Sequence, residues 1–509
     1  MNLALLVSLP VLSAILATLA LPSFDLGFLG WVALAPLLYA LRQRGLAVAA
    51  GLGGLFGYAF GVGTFFWSTT IPDLNFIRFA LLMAVFSLYY VAFGLLYALA
   101  ARFTASWIVL AGPALGTALE YARCNFSFFA FPWNFLAHSQ HQTLPVIQIA
   151  DMTGMYGVTF VLLMVNQLAS QLPEVRRMGK WHWPAQGAAV GAVLAATLLY
   201  GGYRLAAPPH PSAHLRVAMV QANLTAHSKM SVGEQMKHLS AYERLTREAA
   251  KEKPELIVWP SSSLPGPMSF WMIRLYVNQV AHGAGVPLLV GGAGGDKFAP
   301  AREGLVPYSN SQFLVSPLGE LEGQYNKIRL TPFNEQVPFQ GVIPWPRWIT
   351  TLEKGFVPGD RYTLFHVSKA RFGAPICWEN NFPDAFRRFV LDGANFMVSV
   401  TNESVFGPTS GPRQTLAMVV FRAVENRVAV ARSATTGVSA FIDPQGKIVS
   451  RVSDGKGGDV FVRGILAWDV PLSEEKTFYT RYGDVFARVV SIAVLCMLLF
   501  CLWRALRKA

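Results

Sequence analysis

The longest stretches of this chain that carry no charged residue are long enough to cross a lipid bilayer. A spanning helix needs about 20 mainly apolar residues, because its backbone polar groups must be satisfied within the segment. Five charge-free segments meet or approach this length, at 1–24, 45–72, 79–101, 103–119 and 152–173. Weaker candidates lie at 26–41, 181–203 and 489–503. The sequence therefore predicts a polytopic α-helical membrane bundle of about eight spans.

The composition of the whole chain agrees with a membrane protein. Of the 509 residues, 53% are hydrophobic and 14% are charged, whereas soluble domains carry about 25% charged residues. The 36 Phe and 13 Trp exclude a disordered chain or a small disulfide scaffold. A net charge of +13 fits basic anchors at a membrane better than a nucleic-acid partner.

The basic residues between the spans indicate how the chain is oriented. If the spans alternate, the basic residues near their ends fall on one side, namely Arg42, Arg44, Arg102, Arg176, Arg177, Lys180, Arg504, Arg507 and Lys508. The positive-inside rule makes that side cytoplasmic. We therefore predict a membrane protein whose soluble part lies outside the cytoplasm, in a periplasm-like space. The predicted domains are a seven-span bundle at 1–205, an extracytoplasmic domain at 206–483, and a last span with a basic tail at 484–509.

The sequence after residue 214 has the pattern of an α/β domain. Eight short runs rich in β-branched residues are predicted to be strands. They are LRVAMVQAN, ELIVWP, VPLLVGG, NSQFLVSP, FGAPICWE, NFMVSVTNE, RVAVARSATTG and VSAFIDPQGKIVS. Helical stretches lie between some of these runs, for example at 233–253 and 414–426. Strands that alternate with helices indicate a layered α/β architecture.

Cys377 is the one cysteine of the predicted soluble domain, since the others are Cys124, Cys496 and Cys501. A lone cysteine is most often a small buried hydrophobe. Cys377, however, follows the apolar run Ala374–Ile376, which would place its thiol at the carboxyl edge of a sheet, where α/β folds build their sites. The sequence thus allows either a buried structural thiol or a nucleophile.

A nucleophilic thiol needs a neighbour that stabilises the thiolate. Lys327, in GQYNKIRLTPFNEQVP, is the best candidate, because its charge could stabilise a thiolate and its ammonium could later donate to an oxyanion. A solvated surface lysine is the alternative. Motifs for a serine hydrolase, a zinc protease or a phosphate-binding loop do not occur, so we expect neither a cofactor nor a metal.

The motifs around these residues, taken together, resemble one family. The pattern Y-x-K-x-x-L-x-P-F-x-E-x-V-P contains Lys327 and Glu335, and I-C-W-E contains Cys377 and Glu379. FPWNF, IADMTGMYGVTF, VAMVQAN, RAVENR, SATTGVSAFIDPQG and YTRYGDVF also look like recurrent segments of this family. The chain is similar over nearly its whole length to apolipoprotein N-acyltransferases, which are membrane-anchored members of the nitrilase superfamily.

The resemblance implies a nitrilase-like αββα sandwich on eight membrane helices and a two-step acyl transfer through a Glu-Lys-Cys triad. Cys377 would take an acyl chain from a phospholipid as a thioester. The α-amine of an S-diacylglyceryl cysteine, at the N-terminus of a lipoprotein, would then receive the chain as an amide. Lys327 matches the triad lysine, and Glu335 and Glu379 match acidic residues of the family's site.

One position of the triad departs from the family pattern. The catalytic glutamate of the family follows W-P or W-S, and here Ser261 follows Trp259 and Pro260. A serine hydroxyl cannot accept a proton near neutral pH as a carboxylate does. Other departures are Asn334, Glu403, Val405 and Thr415.

Three functions therefore remain open from the sequence. The first is a lipoprotein acyltransferase, in which Glu335 could replace the missing base. The second is a slow or silent homologue that acts as a membrane scaffold or lipid-binding protein. The third is a membrane-tethered amidase, which the shared nitrilase-like core permits, although FPWNF and YTRYGDVF favour the lipid enzyme.

Overall fold

A computed structural model shows that the chain forms two compact units. One comprises Met1–Ala207 with Tyr482–Ala509, and the other comprises Pro208–Arg481. The structure describes residues 3–72, 74–104, 107–126, 130–177, 182–207, 210–224, 230–295, 308–350, 352 and 355–507. The predicted anchors Lys180 and Lys508 lie outside these residues.

The first unit consists of helices. Its α-helices are α1 Leu3–Ala20, α2 Ala35–Leu41, α3 Leu46–Phe65, α4 Phe76–Ala101, α5 Ile108–Asn125, α6 Leu144–Ile147, α7 Ala150–Thr153, α8 Met155–Ala169, α9 His182–Ala206 and α15 Val485–Leu506. Within the described residues, five helices have the length and hydropathy of a span: Leu3–Ala20, Leu46–Thr70, Phe76–Ala101, Trp183–Ala206 and Val485–Leu506. Gly27–Leu41 and Met155–Ala169 are shorter apolar helices. The count of eight spans stays a prediction.

Helices α3 and α4 approach each other closely through glycine. A Cβ atom on Gly53 would lie 2.1 Å from the backbone oxygen of Tyr90, and one on Gly94 would lie 2.2 Å from that of Ala49. Apolar surface drives no association between helices in lipid, so close packing of small residues holds them together. The two glycines therefore set the distance between α3 and α4.

The second unit is a sandwich of two six-stranded sheets with helices on the outer faces. The strands of the first sheet run in the order β12-β1-β2-β3-β4-β5 and those of the second in the order β11-β10-β9-β8-β7-β6. Their bounds are β1 Ala213–Gln221, β2 Leu256–Val258, β3 Leu288–Gly294, β4 Ser309–Val315, β5 Leu321–Asn326, β6 Phe365–Val367, β7 Ala370–Gly373, β8 Phe396–Thr401, β9 Val430–Ala434, β10 Ala440–Ile442, β11 Ile448–Arg451 and β12 Gly464–Leu472. The helices are α10 Val232–Ala250, α11 Trp271–Ala284, α12 Pro383–Leu391, α13 Gly411–Asn426 and α14 Phe478–Tyr482.

Side-chain alternation separates the two faces of the first sheet. Val290 on β3 and Phe313 on β4 belong to the core that α10 and α11 cover. Because successive side chains of a strand point to opposite faces, Gly291 and Gln312 face the other way, toward the second sheet. Ser439 donates a hydrogen bond to Gln221 of β1 across this inner face, at 2.5 Å. The inner face is therefore where polar side chains of both sheets meet.

Each predicted run overlaps a strand, but the bounds differ and further strands are present. The run VSAFIDPQGKIVS forms two strands, β10 and β11, joined as an antiparallel pair, because Pro444 and Gly446 make a turn between them. The strand that precedes Cys377 ends earlier than predicted: β7 stops at Gly373, and a single bridge joins Ile376 to Val400. Strands β5, β6 and β12 and helices α11, α12 and α14 were not identified from the sequence.

Replacing Gly53 by Ala should destabilise the helical unit by about 1–3 kcal/mol, because the new methyl group overlaps the backbone of Tyr90. Gly51 is the matched control, since it lies on the same helix with open space around it, and Gly51→Ala should be neutral or stabilising by up to about 1 kcal/mol. Thermal unfolding of the detergent-solubilised chain measures both effects. Equal behaviour of the two variants would contradict the packing described for α3 and α4.

Candidate active site

Lys327 directly follows β5 and is buried, with 1% of its surface exposed. Lysine is rarely buried unless its charge is paired. The Lys327 Nζ atom lies 2.5 Å from Glu335 Oε2 and donates to Thr331 Oγ1 at 3.3 Å. The surface alternative for Lys327 is therefore wrong, because the side chain enters the protein and forms a buried ion pair.

Glu335 is held on both carboxylate oxygens. Asn310 Nδ2 donates to Oε1 at 2.8 Å, and the Thr331 amide donates to Oε2 at 2.8 Å. Burial tends to raise the pKa of Glu335, but Lys327 and these donors outweigh it and hold the pKa below its ordinary value. Glu335 is thus an ionised partner that fixes the position of the Lys327 ammonium.

The Lys327 ammonium is stabilised in its charged form. Burial lowers the pKa of Lys327, but the charges of Glu335, Cys377 and Glu379 outweigh burial and raise the pKa above its ordinary value. The Glu379 carboxylate accepts hydrogen bonds from the amides of Ile328 and Ile376, which are the chain neighbours of Lys327 and Cys377. The structure thus brings together the two residues that sequence reasoning singled out.

Cys377 lies at the first position of a short 3-10 helix, Cys377–Asn381, and is half-buried. Its φ of 51° is in the left-handed region, which non-glycine residues seldom adopt and which clusters at functional sites. The partial exposure leaves the thiol accessible to a reactant, whereas Cys124 and Cys501 are buried.

Glu379 joins the segment of Lys327 to the segment of Cys377. Its Oε1 accepts hydrogen bonds from the Tyr325 hydroxyl at 2.9 Å and from the amides of Ile328 and Arg329 at 2.8 and 3.0 Å. Its Oε2 accepts from the Ile376 amide at 2.9 Å. Burial raises the pKa of Glu379. With four donors on two oxygens, Glu379 is a bridge between the two sheets rather than a free base.

Ser261 follows β2 and lies in the same inner region of the unit. It is 1% exposed, and its Oγ has no hydrogen-bond partner among the described residues. Neighbouring Ser263 anchors this turn, because its Oγ contacts the nitrogen and oxygen of Gly291 at 3.2 and 3.1 Å. The position of the expected base is therefore occupied by a neutral, buried hydroxyl.

Two of the other departures from the family pattern, Glu403 and Thr415, belong to a separate buried cluster, whereas Asn334 and Val405 are exposed. Arg432 Nη2 lies 2.5 Å from Glu403 Oε1, and Thr415 Oγ1 contacts the same oxygen at 2.5 Å. Arg432 and Glu403 are each 1% exposed. This ion pair links β9 to the segment after β8 and supports the edge of the second sheet from which Cys377 projects.

Three supporting residues were missed in the sequence: Asn310, Tyr325 and Thr331. Tyr325 and Lys327 are two residues apart, as are Asn310 and Gln312, so each pair shares a face of its strand. The Lys327 amide donates to the Asn310 oxygen at 2.8 Å, which places Asn310 opposite Lys327. Polar residues at alternate positions within NSQ and QYNK were the available signal, but their register was not readable from the sequence.

Comparison with known proteins first defines the class. A model of the carbon-nitrogen hydrolase family matches residues 216–474, and the second unit is accordingly a nitrilase-superfamily domain. A solved amidase from Nesterenkonia sp. aligns over 55% of this chain and 94% of its own, with 17% identity and a TM-score of 0.36.

The helical part narrows the class to one family. A model of the apolipoprotein N-acyltransferase N-terminal domain matches residues 13–168. The apolipoprotein N-acyltransferase of Geobacter metallireducens is 33% identical to this chain, and the match covers 96% of this chain and 94% of the relative. The apolipoprotein N-acyltransferase of Chlorobaculum tepidum is 30% identical, and the match covers 94% of this chain and 93% of the relative. The chain belongs to the apolipoprotein N-acyltransferase family, and it is an acyltransferase enzyme. The scaffold and amidase alternatives are not favoured by these relatives.

The Lys327–Glu335 pair makes stability depend on pH in a defined direction. Because the pKa of Glu335 is lower in the folded state, its contribution is fully present above about pH 4.5 and is lost as the pH falls through the folded pKa. Glu335→Gln should therefore destabilise the protein at pH 7 by about 3 kcal/mol or more. The difference from wild type should shrink below about pH 4.5.

Thermal unfolding of the full chain in detergent between pH 3.5 and 7.5 measures this difference. Glu320→Gln is the matched control, because Glu320 is an exposed turn residue of the same unit and its replacement should change little at any pH. A deficit in Glu335→Gln that stays constant over the whole range would refute the ion pair.

Proposed function

We propose that this enzyme moves an acyl chain from a phospholipid to the N-terminal amine of S-diacylglyceryl lipoproteins, through a thioester on Cys377. The observation that carries the proposal is the buried Lys327–Glu335 pair, whose chain segment is joined through Glu379 to that of the half-exposed Cys377. A thioester divides one difficult transfer into two easier steps. Lys327 and Cys377 are the catalytic residues, and Glu335 and Glu379 are positioning residues.

In the first step the Cys377 thiolate attacks the ester carbonyl of the phospholipid. The carbon–oxygen bond to the glycerol breaks, and the leaving oxygen takes a proton from the Lys327 ammonium. The products are an acyl-thioester on Cys377, a lysophospholipid and a neutral Lys327 amine. Glu335 keeps the Lys327 nitrogen in place throughout, because its carboxylate is anchored by Asn310 and Thr331.

In the second step the neutral α-amine of the lipoprotein attacks the thioester carbonyl. An amide bond forms, the carbon–sulfur bond breaks, and the proton lost by the amine passes to Lys327. The thiolate and the ammonium of the starting state are thereby restored. An α-amine has a pKa of about 8, so its neutral form is available near pH 7.

This cycle does not need a carboxylate at the position of Ser261. A carboxylate at that position would remove the proton of the thiol, whereas Ser261 cannot. In the proposed cycle the thiolate is instead stabilised directly by the Lys327 ammonium. Glu335 is a poor substitute base, because its pKa is lowered and both of its oxygens already accept hydrogen bonds. We expect the enzyme to be slower than one that carries the carboxylate.

The setting of the reaction follows from the membrane spans and their flanking charges. Both substrates are lipids, and a bilayer supplies them at high local concentration. We propose that the protein lies in the bacterial inner membrane, with residues 206–483 as the extracytoplasmic domain between the bundle 1–205 and the final span at 484–509. The proposal rests on the apolar helices and on the distribution of arginines under the positive-inside rule.

Replacing Cys377 by Ala should abolish transfer. Purified protein, given a phospholipid labelled in one acyl chain and a diacylglyceryl peptide, should form a triacylated peptide and a hydroxylamine-labile acyl group on Cys377. Cys496→Ala is the matched control, because Cys496 is exposed on α15, and its replacement should leave transfer unchanged. Transfer that persists in Cys377→Ala would exclude the thioester, and a silent scaffold would form neither product.

A further inference from the structure

Gln312 lies on the inner face of the first sheet, beside the position of the missing carboxylate. In the register of β3 and β4, Gly291 pairs with Gln312. A Cβ atom built on Gly291 would lie 2.5 Å from Gln312 Nε2 and 2.7 Å from Ser261 Cα. The Gln312 amide therefore extends over the bare backbone of Gly291 and reaches the turn that carries Ser261.

The polar atoms of these two side chains are buried and unpaired. Gln312 is 0% exposed, and Ser261 is 1% exposed. Gln312 Nε2, Gln312 Oε1 and Ser261 Oγ have no hydrogen-bond partner among the described residues. Buried polar groups are nearly always hydrogen-bonded, and exceptions point to function. Three such atoms in one region mark Ser261 and Gln312 as candidates for a functional rather than a purely structural role.

Gln312 also belongs to the same row of side chains as the active site. It shares its face of β4 with Asn310, which holds Glu335, and it pairs in register with Tyr325, which holds Glu379. Ser261, Gln312 and Lys327 thus lie along one face at neighbouring strands. A glutamate side chain at 261 that extended toward Lys327 would meet the Gln312 amide.

We propose that Gln312 occupies the space of the absent carboxylate, so that Ser261 and Gln312 form one coupled unit that replaces a charged base by a neutral amide and hydroxyl. This inference rests on the proposed function, because it assigns Gln312 as a positioning residue of the same thioester chemistry. It has a specific consequence: a carboxylate at 261 becomes effective only when the Gln312 side chain is shortened.

A double-mutant cycle tests this coupling in the full chain reconstituted in phospholipid vesicles. The variants are Ser261→Glu, Gln312→Ala and the double variant, and the readout is the single-turnover rate of acyl-thioester formation from pH 5.5 to 9. Ser261→Glu alone should bring no gain in rate over wild type. The double variant should gain about 10²-fold near neutral pH, which is the usual contribution of a general base, and its rate should extend to lower pH.

Matched controls separate chemistry from packing. The double variant with Ser261→Gln and Gln312→Ala has the same shape without a carboxylate, and it should show no gain. Gln324→Ala removes a glutamine on the opposite face of β5 and should leave the rate unchanged. Gln312→Glu, which adds a carboxylate without enlarging the side chain, should also raise the rate and keeps the test decisive if Ser261→Glu does not fold.

Several results would overturn the coupling. These are a full gain from Ser261→Glu alone, an equal gain in the glutamine double variant, or no gain in both the glutamate double variant and Gln312→Glu while wild type still forms its thioester on Cys377. A failure of the proposed function looks different, because then no variant, wild type included, would carry a hydroxylamine-labile acyl group on Cys377.

Discussion

The active site depends on the removal of a lysine and a glutamate from water as a pair. Burial of either charge alone would cost several kcal/mol, so neither Lys327 nor Glu335 could stay ionised inside the domain without the other. The cost is offset by their contact and by donors from Asn310 and Thr331. A charged amine thereby remains beside Cys377 in a region of low dielectric, where its effect on a thiolate is much larger than in water.

Other residues of the second unit keep Lys327 and Cys377 in their relative positions. Lys327 comes from the end of a strand in one sheet and Cys377 from the edge of the other, so their relation depends on how the sheets are joined. Glu379 supplies that link, because its two oxygens accept hydrogen bonds from both segments. The buried Glu403–Arg432 pair stabilises the edge of the second sheet. The hydrogen bonds of Glu379 therefore fix where the Lys327 and Cys377 segments lie relative to each other.

The sequence revealed the elements whose pattern is local. Apolar segments and β-branched runs identified the membrane helices and the central strands, and short motifs located Cys377 and Lys327. Strand β5, LEGQYN, was not predicted because it has no apolar run and most of its residues are at least partly exposed. The relation of Ser261 to Gln312 depends on the register of β3 with β4, which no local pattern encodes. Pairings between strands are the part of the site that only the structure supplies.

The central claim is that the Lys327 charge makes Cys377 nucleophilic, and the alkylation rate of Cys377 tests it most directly. In a background with Cys124, Cys496 and Cys501 replaced by Ala, iodoacetamide at pH 7 should modify Cys377 rapidly. Lys327→Met, which keeps the length of the side chain and removes its charge, should slow the modification by about tenfold or more, because the thiolate is the reactive form. Equal rates in the two proteins, both shown to be folded, would contradict the account.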